Sequence, residues 1–151
     1  MADRPPGESR LQQLLASVSP ALSDEEYVFC SFANARYGDH AGLEPLAAMQ
    51  EQEGLTLVLP RTRADAAGHA YAAVFRCITL GVHSSLTAVG LTAAFSRALA
   101  SREISANVVS GYYHDHILVP AHRAGDAMAA IRALSGPAVV ETRPVGPDGP
   151  G

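Results

Sequence analysis

Three groups of side chains in this sequence are of types and spacings that could do chemistry. His114-Asp115-His116 sets two imidazoles two residues apart. On an extended strand both would project to one face, a spacing that metal sites use, and His83 would supply a third ligand. A small metal-dependent enzyme built on His83, His114 and His116 is therefore one reading. The second group is Ser84 and Ser85, just ahead of a helical pattern. A serine there caps the helix, and the same unclaimed N–H groups and positive dipole end suit a small anion or carboxylate. The third is Asn107, a polar residue in a run of Ala106, Val108 and Val109. Its amide can donate to a carboxylate and accept from an ammonium, or it can sit on an edge strand bonded to neighbouring backbone. Nucleophile and phosphate motifs are missing: there is no G-x-S-x-G elbow, no G-x-x-x-x-G-K-[ST] loop and no G-x-G-x-x-G turn. No catalytic residue is assigned, and no cofactor is expected.

The elements that must position these groups follow from periodicity. Leu11, Leu14, Leu15 and Val18 fall at helical spacing before Pro20 and predict a short docking helix. Glu26–Phe32 is rich in β-favouring residues and predicts a strand, followed by a loop over 34–42. Leu43, Leu46, Ala47, Met49 and Gln50 predict a helix over 43–53 that ends at Gly54. Leu55–Leu59 is a fully apolar strand bounded by Pro60, with a short helix over 61–67 closed by Gly68. The second half repeats the order: a strand from Phe75 with Ile78, Leu80 and Val82 on one face; a helix over 88–101 burying Leu91, Phe95, Ala98 and Leu99; and a hairpin of 107–110 with 116–119 across an aromatic turn. A last helix carries Ala127, Met128, Ile131 and Leu134, and Ala138–Glu141 could add an edge strand.

Two successive β-α-β patterns imply an α+β, ferredoxin-like (βαββαβ) sandwich. The expected organisation is a disordered leader over 1–9, an abbreviated first unit over 10–70, a complete second unit over 71–136, and a possible edge strand and disordered tail over 137–151. Open sheet edges make a homodimer plausible.

Composition narrows the function. Eleven Lys plus Arg against 15 Asp plus Glu give a net charge of −4, with no basic stripe, which argues against a phosphate-binding nucleic-acid surface. No apolar run approaches the ~20 residues that span a bilayer, and residues 1–9 contain no secretory h-region. A cytoplasmic protein is expected. Cys30 and Cys77 both lie in strand-like runs and read as buried free thiols; His40, His69 and His122 read as solvated.

The stretches Gly54-Leu55-Thr56-Leu57-Val58-Leu59-Pro60, Phe75–Leu80, His83-Ser84-Ser85-Leu86 with Val89-Gly90-Leu91-Thr92, Ile104–Tyr112 and His114–Pro120 resemble small bacterial tandem ACT-domain proteins. The resemblance spans about residues 11–134. It implies two ACT-like units packed together and a non-enzymatic regulatory role: binding of an amino acid or related small molecule between paired units, with output through a separate regulated protein. Carried over by position, the implied ligand contacts are His83, Ser84, Ser85 and Leu86 in the loop, Gly90 at the helix entry, and Asn107 with Val108 on the second strand. Many ACT domains carry an acidic residue or proline before that glycine; here Thr87-Ala88-Val89 precede it, which leaves the ligand's identity open. A structural dimer without ligand is the remaining alternative.

Overall fold

Two strands lie antiparallel at the centre of the molecule, and each half of the chain is built outward from one of them. The structure, a computed structural model, describes residues 6–81 and 89–135. In chain order the elements are α1 (Pro6–Ala16), β1 (Pro20–Phe32), a 3-10 turn (Ala41–Leu43), β2 (Ala47–Glu51), β3 (Gly54–Pro60), α2 (Arg61–Ala66), β4 (Phe75–Leu80), α3 (Leu91–Ala100), β5 (Asn107–Ser110), β6 (Asp115–Pro120), a 3-10 turn (Ala121–Arg123), α4 (Ala124–Arg132) and a final 3-10 turn (Ala133–Ser135). The six strands form one sheet in the order β2-β3-β1-β4-β6-β5, with every neighbouring pair antiparallel.

This order reads the same from either edge once β1 is exchanged with β4, β3 with β6 and β2 with β5. In the first unit β4 fills the fourth-strand place beside β1, through Tyr27 opposite Phe75. In the second unit the fourth-strand place beside β4 is filled by the start of β1, with Pro20–Leu22 opposite Ile78–Leu80. The architecture is thus the expected α+β, ferredoxin-like sandwich of two units, intertwined through their central strands. A bulge between Leu22 and Glu26 separates the two roles of β1. Arg76 holds it, donating Nε to the Ser23 carbonyl at 2.9 Å and a second guanidinium nitrogen to the same oxygen.

Alternation along the strands sorts the core. One face carries two clusters. Ile78, Leu80, Ile117 and Val119 pack with Leu91, Phe95 and Leu99 of α3 and Ala127, Met128 and Ile131 of α4. Val28, Cys30, Leu55, Leu57 and Leu59 pack with Ala64 of α2. On the opposite face Val58, Cys77 and Leu118 are buried among Tyr27, Phe29, Ala47, Phe75 and Val109, a cluster to which no described helix contributes. Among the described residues no helix is long and apolar enough to cross a membrane.

Three expectations change. The predicted helix over 43–53 is instead a 3-10 turn and strand β2, paired residue for residue with β3 from Ala47 opposite Val58 to Glu51 opposite Gly54. The Ala, Gln and Glu of this run favour helix intrinsically, but pairing with the strongly apolar β3 outweighs a propensity of a few tenths of a kcal/mol per residue. Strand β1 begins at Pro20 rather than Glu26; proline is tolerated at a first strand position. Helix α1 begins at Pro6, inside the expected disordered leader. Val82 and the expected edge strand at 138–141 lie outside the described residues, as does the rest of the tail over 137–151.

Gly54 closes the β2–β3 hairpin at φ +145°, and a Cβ there would overlap the Phe32 carbonyl and come within 2.8 Å of the Ala33 Cα. Gly54→Ala is expected to cost about 2–4 kcal/mol, because both the backbone conformation and the packed neighbouring backbone resist a methyl. Urea denaturation checks this as a lower midpoint at unchanged slope; an unshifted midpoint would show that the hairpin is not packed in this way.

Candidate functional site

The site expected from the sequence lies at the end of the second unit where β4 stops and α3 begins. Helix α3 forms because Leu91, Phe95 and Leu99 recur at helical spacing and are all buried. Its N-cap is Gly90 at φ 98°, a left-handed conformation that glycine adopts freely. Glycine contributes no capping oxygen, and the first intrahelical bond runs from Ala94 N–H to the Gly90 carbonyl at 3.0 Å. His83, Ser84, Ser85 and Leu86 lie outside the described residues.

Asn107 opens β5, an outer strand of the sheet, and its side chain is exposed. It stands opposite Leu118, which in turn stands opposite Cys77. That row lies three residues below the end of β4, about 10 Å at the rise of an extended strand. Within one chain, then, Asn107 is set apart from the α3 entry. Val108 points the other way, half-buried against the cluster that contains Ile117 and Phe95. Its role visible here is packing.

The hairpin turn divides His114 from His116, as its expected extent over 111–115 implies, and breaks the strand alternation between them. His116 lies on β6 and its Nδ1 is 2.9 Å from Thr79 Oγ1 on β4, directly opposite. Burial pushes the His116 imidazole below its ordinary range; the neighbouring His114 adds to this and Asp115 opposes it. His114 precedes the strand, in the turn with the exposed Tyr112 and Tyr113, whose rings meet edge to face at 5.0 Å. Among the described residues no three His, Cys, Asp or Glu side chains are grouped to hold a metal ion; His83 falls outside them.

Sequence reasoning missed a cluster in the first unit. His40 is not simply solvated: its ring stacks on Phe32 with centroids 4.1 Å apart, and His69 meets both Phe32 and His40 edge to face at 4.9 and 5.7 Å. These residues are 8 and 29 positions apart in sequence and share no periodicity, so only the tertiary fold brings them together. His122 is exposed, as expected. Cys30 and Cys77 are buried free thiols, and burial raises both above the ordinary thiol range, which disfavours the nucleophilic thiolate.

Comparison with known proteins agrees with this geometry. Family models described as ACT domain match the chain twice in succession, over residues 6–76 and 73–134. The crystal structure of a Vibrio cholerae protein of unknown function is 49% identical and superposes with a TM-score of 0.78, covering 85% of this chain and 98% of that one. A protein from Agrobacterium tumefaciens is similar in fold at 15% identity and a TM-score of 0.64, over 78% of this chain and 89% of its own. The ligand-free regulatory subunit of aspartate kinase from Thermus thermophilus also shares the fold, at 12% identity and a TM-score of 0.58, over 78% and 97%. No curated protein matches.

The depressed His116 has a consequence for stability. The unfolded chain, with an ordinary imidazole near pH 6.5, binds more protons than the folded one at and just below that pH. Stability contributed by neutral His116 is therefore full above about pH 6.5 and is lost as pH falls from there through the folded-state value. Replacing it by His116→Gln is expected to flatten the unfolding free energy between about pH 7 and 5. An unchanged pH profile in denaturant titrations would remove His116 as its source.

Proposed function

The chain belongs to the ACT-domain family, with two such units in tandem, and we propose from that premise that it is a non-catalytic regulatory protein that binds a small ligand, an amino acid in the first instance. The observation that carries the reading is the α3 entry: a helix N-terminus at the end of a central strand, capped by a residue that has no side chain. The positive end of the helix dipole there favours a carboxylate. The resemblance assigns the adjoining His83, Ser84, Ser85 and Leu86 to the same ligand.

Asn107 enters the site across an interface. Strand β5 is a sheet edge among the described residues, and its two ends differ: Asn107 at one, and the turn level with the end of β4 at the other. Antiparallel pairing of β5 with β5 of a second copy would bring Asn107 of each chain level with the end of β4 in the other, beside the seam. The exposed Tyr112 and Tyr113 would then flank the seam, where amphipathic rings are favoured. In the proposed homodimer the ligand's carboxylate lies at the α3 N-terminus and Asn107 of the second copy contributes its amide from across the seam. Val108 supports the strand from below.

Ligand in this seam favours one packing of the two copies over another, and a separate cytoplasmic partner reads the difference.

A thermal-shift panel of the twenty amino acids on ligand-stripped protein tests the reading. Ligand at about 100 times its Kd should stabilise by ~2.7 kcal/mol, a shift of several degrees for a domain of this size. A shift confined to one or two amino acids and abolished by Asn107→Ala is expected. A flat panel on folded protein would overturn the amino-acid assignment, and a shift untouched by Asn107→Ala would overturn the site.

A further inference from the structure

Every described helix that joins an apolar cluster does so on one face of the sheet. On the other face, strand alternation brings Tyr27 and Phe29 of β1, Val58 of β3, Phe75 and Cys77 of β4 and Leu118 of β6 to one surface. Phe29 and Phe75 meet edge to face at 5.2 Å. Both rings, with Tyr27 and Val109, are only half-buried, and Met49 beyond them on β2 is 59% exposed. Ser31 and Asn107 add a polar rim.

Charge is confined to the margins. Among the described residues the two carboxylates that border this face are already bonded: Glu51, at the end of β2, accepts from Thr56 Oγ1 at 2.5 Å, and Glu25, at the β1 bulge, accepts from the Tyr27 hydroxyl at 3.4 Å. A charged partner would lose water here and gain no counter-charge. The occupant is therefore apolar and flat. The face also repeats itself. The exchange of β1 with β4, β3 with β6 and β2 with β5 sets Tyr27 in the place of Phe75, Val58 in that of Leu118 and Met49 in that of Val109, at matching registers. Its two halves are alike in shape about the pair Tyr27 and Phe75, which stand opposite each other. Six strands about 4.8 Å apart make it roughly 25 Å wide, the scale of a patch that buries ~800 Å² per partner in a stable interface.

We propose that this face packs against the same face of a second copy, as two sheets about 10 Å apart with the Phe29 and Phe75 rings of both at the centre. A two-fold axis between the sheets makes the contact isologous, and a second copy carries the flat, uncharged surface that the face requires. The β5 seam proposed above does not cover it; that seam would join two open faces into one. Sheet-on-sheet packing needs no ligand, so it stands or falls separately from the amino-acid panel.

Sedimentation equilibrium of the full chain over a range of concentrations tests it. The chain is expected to associate, and a lysine buried in the contact to raise the dissociation constant by about 100-fold in Phe29→Lys and at least ~10-fold in Met49→Lys. Strand β2 lies at the opposite edge of the sheet from β5, so Met49→Lys leaves a β5 seam untouched. Ala48→Lys, next along the same strand but directed to the other face beside Leu57, should associate as the unaltered chain does. Met49 and Ala48 are both exposed, so these two variants keep the test intact if Phe29→Lys fails to fold, which circular dichroism reports. A full chain that stays monomeric to about 1 mM would overturn the proposal and leave the face to a different protein. Association that Met49→Lys leaves intact, or that Ala48→Lys weakens equally, would overturn it too.

Discussion

The pairing of β1 with β4 is the constraint on which the rest of this structure depends. Each unit lacks one strand of a complete βαββαβ sheet, and each obtains it from the first strand of the other. Remove β4 and the first unit has an open edge at β1; remove the start of β1 and the second unit has one at β4. Neither half can bury its sheet alone, so folding of one is conditional on the other. The bulge at 23–25 allows this double use, because β1 must shift register between its partnership at Leu22 and that at Glu26. Ser23 stabilises the irregular segment from both sides: its carbonyl accepts from Arg76 and its Oγ accepts from the Cys77 N–H at 3.0 Å. These bonds satisfy backbone groups that a regular ladder would have paired.

Sharing strands does not merge the cores. On the helix-bearing face the two apolar clusters are separated by polar residues at the seam: Asp24, Glu26, Arg61, Arg76 and His122 line shallow hollows there. Arg61 bonds Glu26 at 3.2 Å and the Tyr71 hydroxyl at 3.1 Å, and Tyr71 donates to Asp65 at 2.7 Å. The Arg61 and Glu26 side chains are 41% and 40% exposed, so their attraction is well screened by solvent. The seam is therefore held by the sheet beneath it and not by its charges.

What the sequence made legible follows from where the apolar signal is strong. Strands β3, β4 and β6 and helices α3 and α4 carry uninterrupted or strictly periodic apolar residues, and their placement matches the pattern. Strand β2 was illegible because Ala47-Ala48-Met49-Gln50-Glu51 has no strand signal of its own; its conformation comes from the neighbour it pairs with. The sharing of β1 was illegible for a related reason, since Pro20–Leu22 is too short and Asp24-Glu25 too polar to read as strand. Of the expected site, the outer position of Asn107 could be read locally, whereas Gly90 as helix entry comes from the family resemblance, since periodicity alone starts the helix near Ala88. The distance between them could not be read, because it depends on register across three strands. The Phe32–His40–His69 contact depends on the first-unit loop, whose left-handed residues His40 and Glu44 give no composition signal.

That loop also marks where the chain's pseudo-symmetry breaks. After β4 the chain forms α3, a ten-residue helix whose N-terminus faces the end of the sheet. After β1, at the equivalent place, it forms only the three-residue turn Ala41–Leu43, flanked by His40 at φ 61° and Glu44 at φ 52°. A single 3-10 turn aligns too few peptide dipoles to present a positive end, and Glu44 beside it is acidic and already bound to Arg63 at 2.9 Å. Beside this turn the first unit stacks His40 on Phe32, with His69 edge to face against both. The first unit's contribution to the second is the central strand without which the second unit's sheet would end at β4.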